Sequence, residues 1–201
     1  MRWKADIRSL IACATTATLL LGGCAHLTET AHDPKTSHQM AFLPDPSDTP
    51  PGQLEDPLGT PDSSPKTQRP EEPAELVATG VRVGSHKRFD RVVVDLEGEG
   101  SPGWYITYVS VPKQETSGTP LKVNGSAYLN INVDGTVPFF EAGREAATVN
   151  LADSSANILD VVNAGTFGGR TQVVVGLRAA KPYSVQVLEN PKRLVVDILK
   201  S

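Results

Sequence analysis

Valine and proline occupy separate parts of this 201-residue chain, and that separation limits what the chain can fold into. All 21 valines lie between Val77 and Val196, whereas ten of the 16 prolines lie between Pro34 and Pro73. Valine favours strands that pack in a core, whereas proline removes a backbone donor and interrupts helices and sheets. The composition therefore excludes one uniform globule and predicts a folded C-terminal part after an extended N-terminal part.

Residues 1–23 have the pattern of a secretory signal peptide. The first eight residues contain three basic side chains and one acidic side chain. The uncharged run LIACATTATLLL follows at residues 10–21, and its twelve residues are fewer than the ~20 that a membrane-spanning helix needs. We therefore expect the chain to be exported and residues 1–23 to be removed.

This run ends in Leu21-Gly22-Gly23-Cys24, which resembles the lipobox of bacterial lipoproteins. The resemblance implies cleavage between Gly23 and Cys24, transfer of diacylglycerol to the Cys24 thiol, and acylation of the new amine. Two or more acyl chains give stable anchoring, whereas one chain binds only marginally. We expect a lipid anchor at Cys24 on the extracytoplasmic side of the cell membrane. The alternative is an ordinary signal peptide followed by an unrelated cysteine.

Residues 24–75 are predicted to be the lipidated cysteine and a disordered linker. From Ala25 to Glu75 there is no valine or isoleucine, and ten acidic residues stand against three basic ones. A proline-rich acidic segment with so few apolar residues cannot bury enough surface to offset the entropy of ordering. Its 51 residues would span about 40 Å as a coil and about 160 Å as polyproline II. Such a linker would carry the folded part towards or across a cell-wall layer.

Residues 76–201 have the composition of a small β domain. Runs of β-branched and aromatic residues follow one another between turn residues, and several of them alternate apolar with polar side chains. The runs are Val77–Val83, Arg91–Leu96, Tyr105–Val111, Ala127–Val133, Ile158–Val162, Gln172–Leu177, Tyr183–Leu188 and Leu194–Leu199. The best helical candidate is Asp153–Asn163, as a short turn of helix. The spacing predicts an all-β fold, an antiparallel β-sandwich.

Two parts of this domain are weakly similar to each other. Val92–Leu96 precedes Tyr105–Val109, and Val173–Leu177 precedes Tyr183–Val187, so each half reads as a strand, a proline-containing loop and a strand. An internal repeat would give two related sheets that face each other. Chance similarity between valine-rich strands is the alternative.

Residues 171–199, TQVVVGLRAAKPYSVQVLENPKRLVVDIL, resemble the AMIN domain of cell-wall amidases and secretins. The region 84–111 adds G-x-H, F-D-R-V-V-x-D and P-G-W-Y, and the two segments together are similar to the AMIN-like domain of actinobacterial lipoproteins. The resemblance covers residues 76–201. It implies a β-sandwich of two similar sheets that binds peptidoglycan or a wall-associated protein.

Six residues of the domain are candidates for ligand binding. Exposed aromatic rings can stack on sugars, and cationic side chains can bind the carboxylates of wall peptides or wall phosphates. On a strand, Trp104 and Tyr108 share one face and Tyr105 lies on the other. The candidates are His86, Lys87, Arg88, Arg91, Trp104 and Tyr108. The alternatives are that the aromatic residues are core and that Asp90, Arg91 and Asp95 form ion pairs along their strand.

Neither catalysis nor a metal or other cofactor is predicted. His86 is the only histidine of the domain, Ser85 would point to the opposite face of a strand, and no G-x-S-x-G motif occurs. Thirteen basic and twelve acidic residues leave the domain nearly neutral, which argues against a nucleic-acid partner. We predict a non-enzymatic binding module. A wall hydrolase acting through His86 and a partner in a secretion or division complex are the alternatives.

Overall fold

A computed structural model describes residues 56–151 and 155–201, and within them the chain forms two five-stranded sheets and no helix. The strands are β1 (Lys66–Gln68), β2 (Glu71–Ser85), β3 (Phe89–Ser101), β4 (Gly103–Val109), β5 (Ala127–Asp134), β6 (Thr148–Asn150), β7 (Ile158–Phe167), β8 (Arg170–Leu177), β9 (Tyr183–Leu188) and β10 (Arg193–Leu199). Each of the eight predicted runs corresponds to a strand, so the predicted all-β fold is confirmed. The signal peptide, Cys24 and residues 25–55 lie outside the described residues.

The two sheets pack face to face around one core. The first sheet has the order β6-β2-β3-β10-β9, and the second has the order β1-β4-β5-β8-β7. Neighbouring strands are antiparallel except β2 and β6, which run parallel. Val94 and Leu194 from the first sheet and Ile131 and Val175 from the second belong to one fully buried apolar cluster. The predicted β-sandwich is therefore confirmed, with one parallel pair that the sequence did not indicate.

Bulges explain why two runs depart from strict alternation. In β2 the register with β3 shifts between Ala78 and Gly80, so that Ala78 and Val81 both reach the core although they are three residues apart. In β7 a shift between Ile158 and Asp160 does the same for Ile158 and Val161. That spacing of three mimics a helical period. The helical turn predicted within Asp153–Asn163 is therefore wrong for the described part of that range.

The ordered structure begins before residue 76, so the prediction of a disordered linker is wrong for residues 56–75. β1 pairs with β4, and Leu58 N donates to Asp197 Oδ2 at 2.6 Å. The backbones of Asp62 and Tyr183 exchange two hydrogen bonds, of 3.1 and 2.9 Å. Backbone pairing depends little on side-chain polarity. A segment without valine is ordered here because neighbouring strands provide its hydrogen-bond partners.

The loop between β4 and β5 crosses the outer face of the second sheet. Glu115 Oε1 accepts hydrogen bonds from Asn130 Nδ2 at 2.8 Å and Asn132 Nδ2 at 2.6 Å. Gln172 Nε2 donates to Lys113 O at 2.8 Å. Buried amides need such partners, because an unsatisfied polar group is costly away from water. This loop therefore covers the part of the outer face that Asn130, Asn132 and Gln172 form, through a polar network.

Candidate binding site

The turn between β2 and β3 carries three of the six predicted ligand-binding residues. Lys87 and Arg88 are exposed at its tip, whereas His86 is only 4% exposed. The His86 backbone N donates to Phe89 O at 2.9 Å, and the imidazole stacks on the Phe89 ring with the centroids 4.6 Å apart. His86 therefore packs inside the turn, while Lys87 and Arg88 project from it. Arg88 also forms an exposed ion pair with Asp56.

The surroundings of His86 favour its neutral form. Burial, followed by the positive charge of Arg91, lowers the pKa of His86 below its usual value of 6.5. Its Nδ1 has no hydrogen-bond partner among the described residues. The nearby Ser85 hydroxyl donates to Asp90 Oδ1 at 3.0 Å and accepts from Lys200 Nζ at 2.8 Å. A catalytic serine would be hydrogen-bonded to the histidine that activates it, so this geometry gives the hydrolase alternative no support.

Arg91 is held in a buried ion pair on the outer face of the first sheet, the face that points away from the core. Its Nε donates to Asp197 Oδ1 at 2.6 Å and its Nη2 to Asp197 Oδ2 at 2.7 Å. The two side chains are 2% and 1% exposed. Arg91 therefore does not belong to an exposed basic patch with Lys87 and Arg88, and that part of the prediction is corrected.

The alternative of ion pairs among Asp90, Arg91 and Asp95 along their strand is also wrong, because the two acids pair with Arg82 on β2 and with Lys200 just after β10. Asp95 accepts two hydrogen bonds from Arg82, at 2.8 and 2.7 Å. Asp90 is fully buried and lies 3.4 Å from Lys200 Nζ. Neighbouring side chains along a strand point to opposite faces, so pairing across strands is the geometry a sheet provides.

Trp104 and Tyr108 lie on the inner face of β4, as the alternation predicted, and pack against the core. The Tyr108 hydroxyl donates to Lys181 O at 2.6 Å and accepts from Lys181 N at 2.9 Å. Burial raises the pKa of that hydroxyl. Tyr105, on the opposite face, is 39% exposed. The two aromatic candidates therefore serve mainly to fill the core.

The structure does not bring the six candidates together. The turn with His86 precedes β3, and Trp104 follows it, so the thirteen residues of β3 separate them. At about 3.3 Å per residue, that strand is roughly 40 Å long. His86 and Trp104 therefore do not line one common binding surface.

An exposed aromatic surface lies elsewhere, at residues that were not among the six candidates. Of the seven large hydrophobic side chains exposed in the described residues, Phe139, Phe140 and Phe167 line one cavity of about 140 Å³. They are 37%, 67% and 50% exposed, and the Phe139 and Phe140 rings meet edge to face at 5.5 Å. Most other lining residues are small or apolar, including Ala78, Pro138, Ala146 and Ala147. We call this cavity the aromatic groove.

A second, wider cavity adjoins the loop that carries Phe139 and Phe140. It has a volume of about 370 Å³, and its charged lining residues are Glu75, Glu97, Glu141 and Arg144. Arg144 forms an ion pair with Glu97, and both side chains are half exposed. Three carboxylates against one guanidinium leave this cavity negatively charged. We call it the acidic groove.

A family comparison identifies the domain that carries these grooves. The model of the AMIN-like domain matches residues 76–200, which is more than half of the chain. The chain belongs to the AMIN-like domain family. Neither the curated proteins nor the solved structures compared with it provide a match.

Membership of the AMIN-like family bears on location and function. AMIN-like domains occur in extracytoplasmic proteins of the cell envelope and generally act as non-catalytic binding modules. Among the described residues, no helix has the length and hydrophobicity to cross a membrane. Within the same residues, no group of three or more His, Cys, Asp or Glu side chains is arranged to hold a metal ion. The family match over residues 76–200 makes this domain an envelope-associated binding module.

Proposed function

We propose that this protein is a lipid-anchored binding module that faces the cell wall and binds peptidoglycan or a wall-associated protein. The observation that carries the proposal is the AMIN-like match over residues 76–200. Support for the anchor comes from the sequence, because Leu21-Gly22-Gly23-Cys24 follows a charged start and a short apolar run. Anchor and domain together describe a protein held at the membrane while its β-sandwich reaches outward.

The lipid anchor is tested by metabolic labelling in the native bacterium. Cells fed an alkyne-tagged palmitate should label the wild-type protein, and Cys24→Ser should abolish the label. The matched control is Cys13→Ser, because Cys13 lies inside the apolar run of the signal peptide. Equal labelling of the wild type and Cys24→Ser would refute anchoring at that residue.

The binding function is tested on purified sacculi and in intact cells. The full-length chain should be retained by sacculi in moderate salt, or should cross-link to a wall-associated protein in cells. A denatured sample and a signal-bearing protein without this domain are the negative controls. The proposal fails if sacculi do not retain the chain and cross-linking finds no protein partner.

A further inference from the structure

We propose that the aromatic groove docks an extended segment of a partner protein in which apolar side chains lie beside a cationic one. This inference rests on the proposed function, because it names the class of partner that the envelope module binds. It assigns the contact to the loop 137–147 and to the end of β7, away from the turn that carries His86.

The exposed rings provide the apolar half of the site. Phe140 is 67% exposed and Phe167 is 50% exposed, although the same domain buries twenty side chains in its main apolar cluster. Clustered exposed aromatic residues mark interaction sites, and aromatic side chains dominate interface energetics. The backbone of the loop is held in shape, since Arg144 N donates to Phe139 O at 2.8 Å and Glu141 N to Pro138 O at 3.0 Å. A preformed loop loses less conformational entropy when it binds.

The acidic groove provides the charged half. The loop 137–147 lines both grooves, and Glu141 of the acidic groove directly follows Phe140 of the aromatic groove. Arg144 neutralises one carboxylate of this cavity, and two remain in excess. A lysine or arginine of the partner would complement that charge, and complementary potentials speed association and exclude wrong partners.

Other occupants fit the two grooves less well. The predicted linker residues 25–55 contain five acidic residues and one basic residue, so the carboxylates of the acidic groove repel them. A second copy in a two-fold contact would bring the same carboxylates towards each other. Sugar rings need convergent polar groups, whereas the aromatic groove is lined mainly by Phe, Ala, Pro and Gly. These comparisons favour a protein segment over glycan.

The experiment measures binding of synthetic probes to the full-length chain in zwitterionic lipid nanodiscs, with empty discs as the blank. The probes are a fluorescent peptide of alternating leucine and lysine, the same peptide with glutamate for lysine, and soluble peptidoglycan fragments. The leucine-lysine peptide should bind the wild type most tightly. Its Kd should rise about tenfold or more in the double variant Phe140→Ser with Phe167→Ser, because the ring contacts are lost. The matched control, Val111→Ser, removes a 54% exposed side chain that does not line the groove and should leave the Kd unchanged.

A charge variant keeps the test valid if the double variant folds poorly. Glu141→Lys changes one exposed side chain, and it should weaken the leucine-lysine peptide several-fold and reduce the salt dependence of its binding. Equal binding by the wild type and both groove variants would overturn the proposal. So would tighter binding of the leucine-glutamate peptide, or of peptidoglycan fragments that depend on Phe140 and Phe167. If peptidoglycan fragments bind through Phe140 and Phe167, the proposed function still stands. The proposed function itself fails only if the wild type is not retained by sacculi and does not cross-link to a wall-associated protein.

Discussion

The Arg91 guanidinium and the Asp197 carboxylate lie on the outer face of the first sheet with almost no contact with solvent. The fork of the arginine matches both carboxylate oxygens, at 2.6 and 2.7 Å. Leu58 N donates to the same carboxylate, so the pair also fixes the segment that precedes β1. A buried pair of this kind adds little over apolar packing, but removing one partner leaves the other charge uncompensated.

Truncation of Arg91 should therefore destabilise the domain strongly. We expect Arg91→Ala to lower the free energy of unfolding by about 3–5 kcal/mol, because Asp197 stays buried without its partner. The matched control is Arg88→Ala in the neighbouring turn, where Arg88 and Asp56 are 59% and 71% exposed. An exposed pair is worth about 0–1 kcal/mol, so this variant should unfold almost like the wild type. Urea denaturation followed by circular dichroism measures both, and similar losses in the two variants would contradict the prediction.

His86 should make the stability of the domain depend on pH. Its folded-state pKa lies below the usual 6.5, because burial and then Arg91 disfavour the imidazolium form. Below pH 6.5 the unfolded chain therefore binds more protons at this residue than the folded one. Neutral His86 contributes its full stability above pH 6.5, and this contribution falls as the pH drops towards the folded-state pKa.

A pair of variants isolates that contribution. Between pH 7.5 and 5 the wild type should lose more stability than His86→Gln, which has no titrating ring. Thermal unfolding at a series of pH values measures the difference, and Lys87→Gln serves as the control because Lys87 is an exposed neighbour. The prediction fails if stability changes with pH equally in the wild type and His86→Gln, because the histidine would then titrate alike in the folded and unfolded states.

At the scale of elements, the sequence predicted strands that carry their own apolar pattern and missed those that do not. β3, with Val92, Val93 and Val94, was predicted from its sequence because all three valines are buried and the alternate ones, Val92 and Val94, fill the core. β1 and β6 have three residues each, KTQ and TVN. Their place in the sheets is decided by the strands they pair with, and their local composition does not indicate that pairing.

The candidate site was less predictable than the strands. Arg91 and Asp197 are 106 residues apart, so the sequence around Arg91 gives no sign that the charge is buried. The aromatic groove did leave a signal, since Phe139 and Phe140 are consecutive and follow Pro138. Both lie outside the eight predicted runs, so neither has a strand face that directs its ring into the core, and clustered exposed aromatic residues mark interaction sites.

The segment 56–75 should contribute to stability although it precedes the family match. We expect a chain that begins at residue 76 to lose at least about 3 kcal/mol of unfolding free energy relative to one that begins at residue 56. The shorter chain lacks β1, the first five residues of β2, and the bond from Leu58 N to Asp197. It also lacks the two backbone bonds of Asp62 to Tyr183 and the bond from the Tyr183 hydroxyl to Ser64 O. Each such bond contributes roughly 1 kcal/mol net.

Urea denaturation of the two chains side by side measures this loss. Val93→Ala, a core-strand change in the longer chain, calibrates the scale because Val93 is 3% exposed. Identical midpoints and slopes for the two lengths would mean that residues 56–75 lie on the sandwich without stabilising it.

At the scale of the whole molecule, the strand orders support the internal repeat. The four strands β2-β3-β10-β9 of the first sheet correspond in order to β7-β8-β5-β4 of the second. Under this correspondence β3 matches β8 and β4 matches β9, which are the two pairs of similar segments in the sequence. In each half, two strands stay in one sheet and the next two cross to the other. The two halves of the domain thus exchange strands, and each sheet contains strands from both halves.

The ordered segment 56–75 also shortens the reach of the proposed anchor. Only residues 25–55 would then be left for the proposed linker, and these 31 residues would span about 30 Å as a coil and about 100 Å as polyproline II. A domain on so short a linker contacts the wall only if nearly the full length of the linker is free to extend. Linker length, and not its particular sequence, should then decide whether an anchored domain meets a wall-bound partner.

Deleting residues 29–51 should reduce cross-linking of the membrane-anchored protein to the wall in intact cells, while thermal unfolding of the domain stays unchanged. Replacing the same residues with an equal number of glycines and serines should restore most of the cross-linking, because a flexible chain of that length has a similar coil dimension. If the deletion cross-links as well as the wild type, reach is not limiting. If the glycine-serine replacement fails as completely as the deletion, the linker acts through its sequence, and its acidic and proline residues must themselves take part in binding.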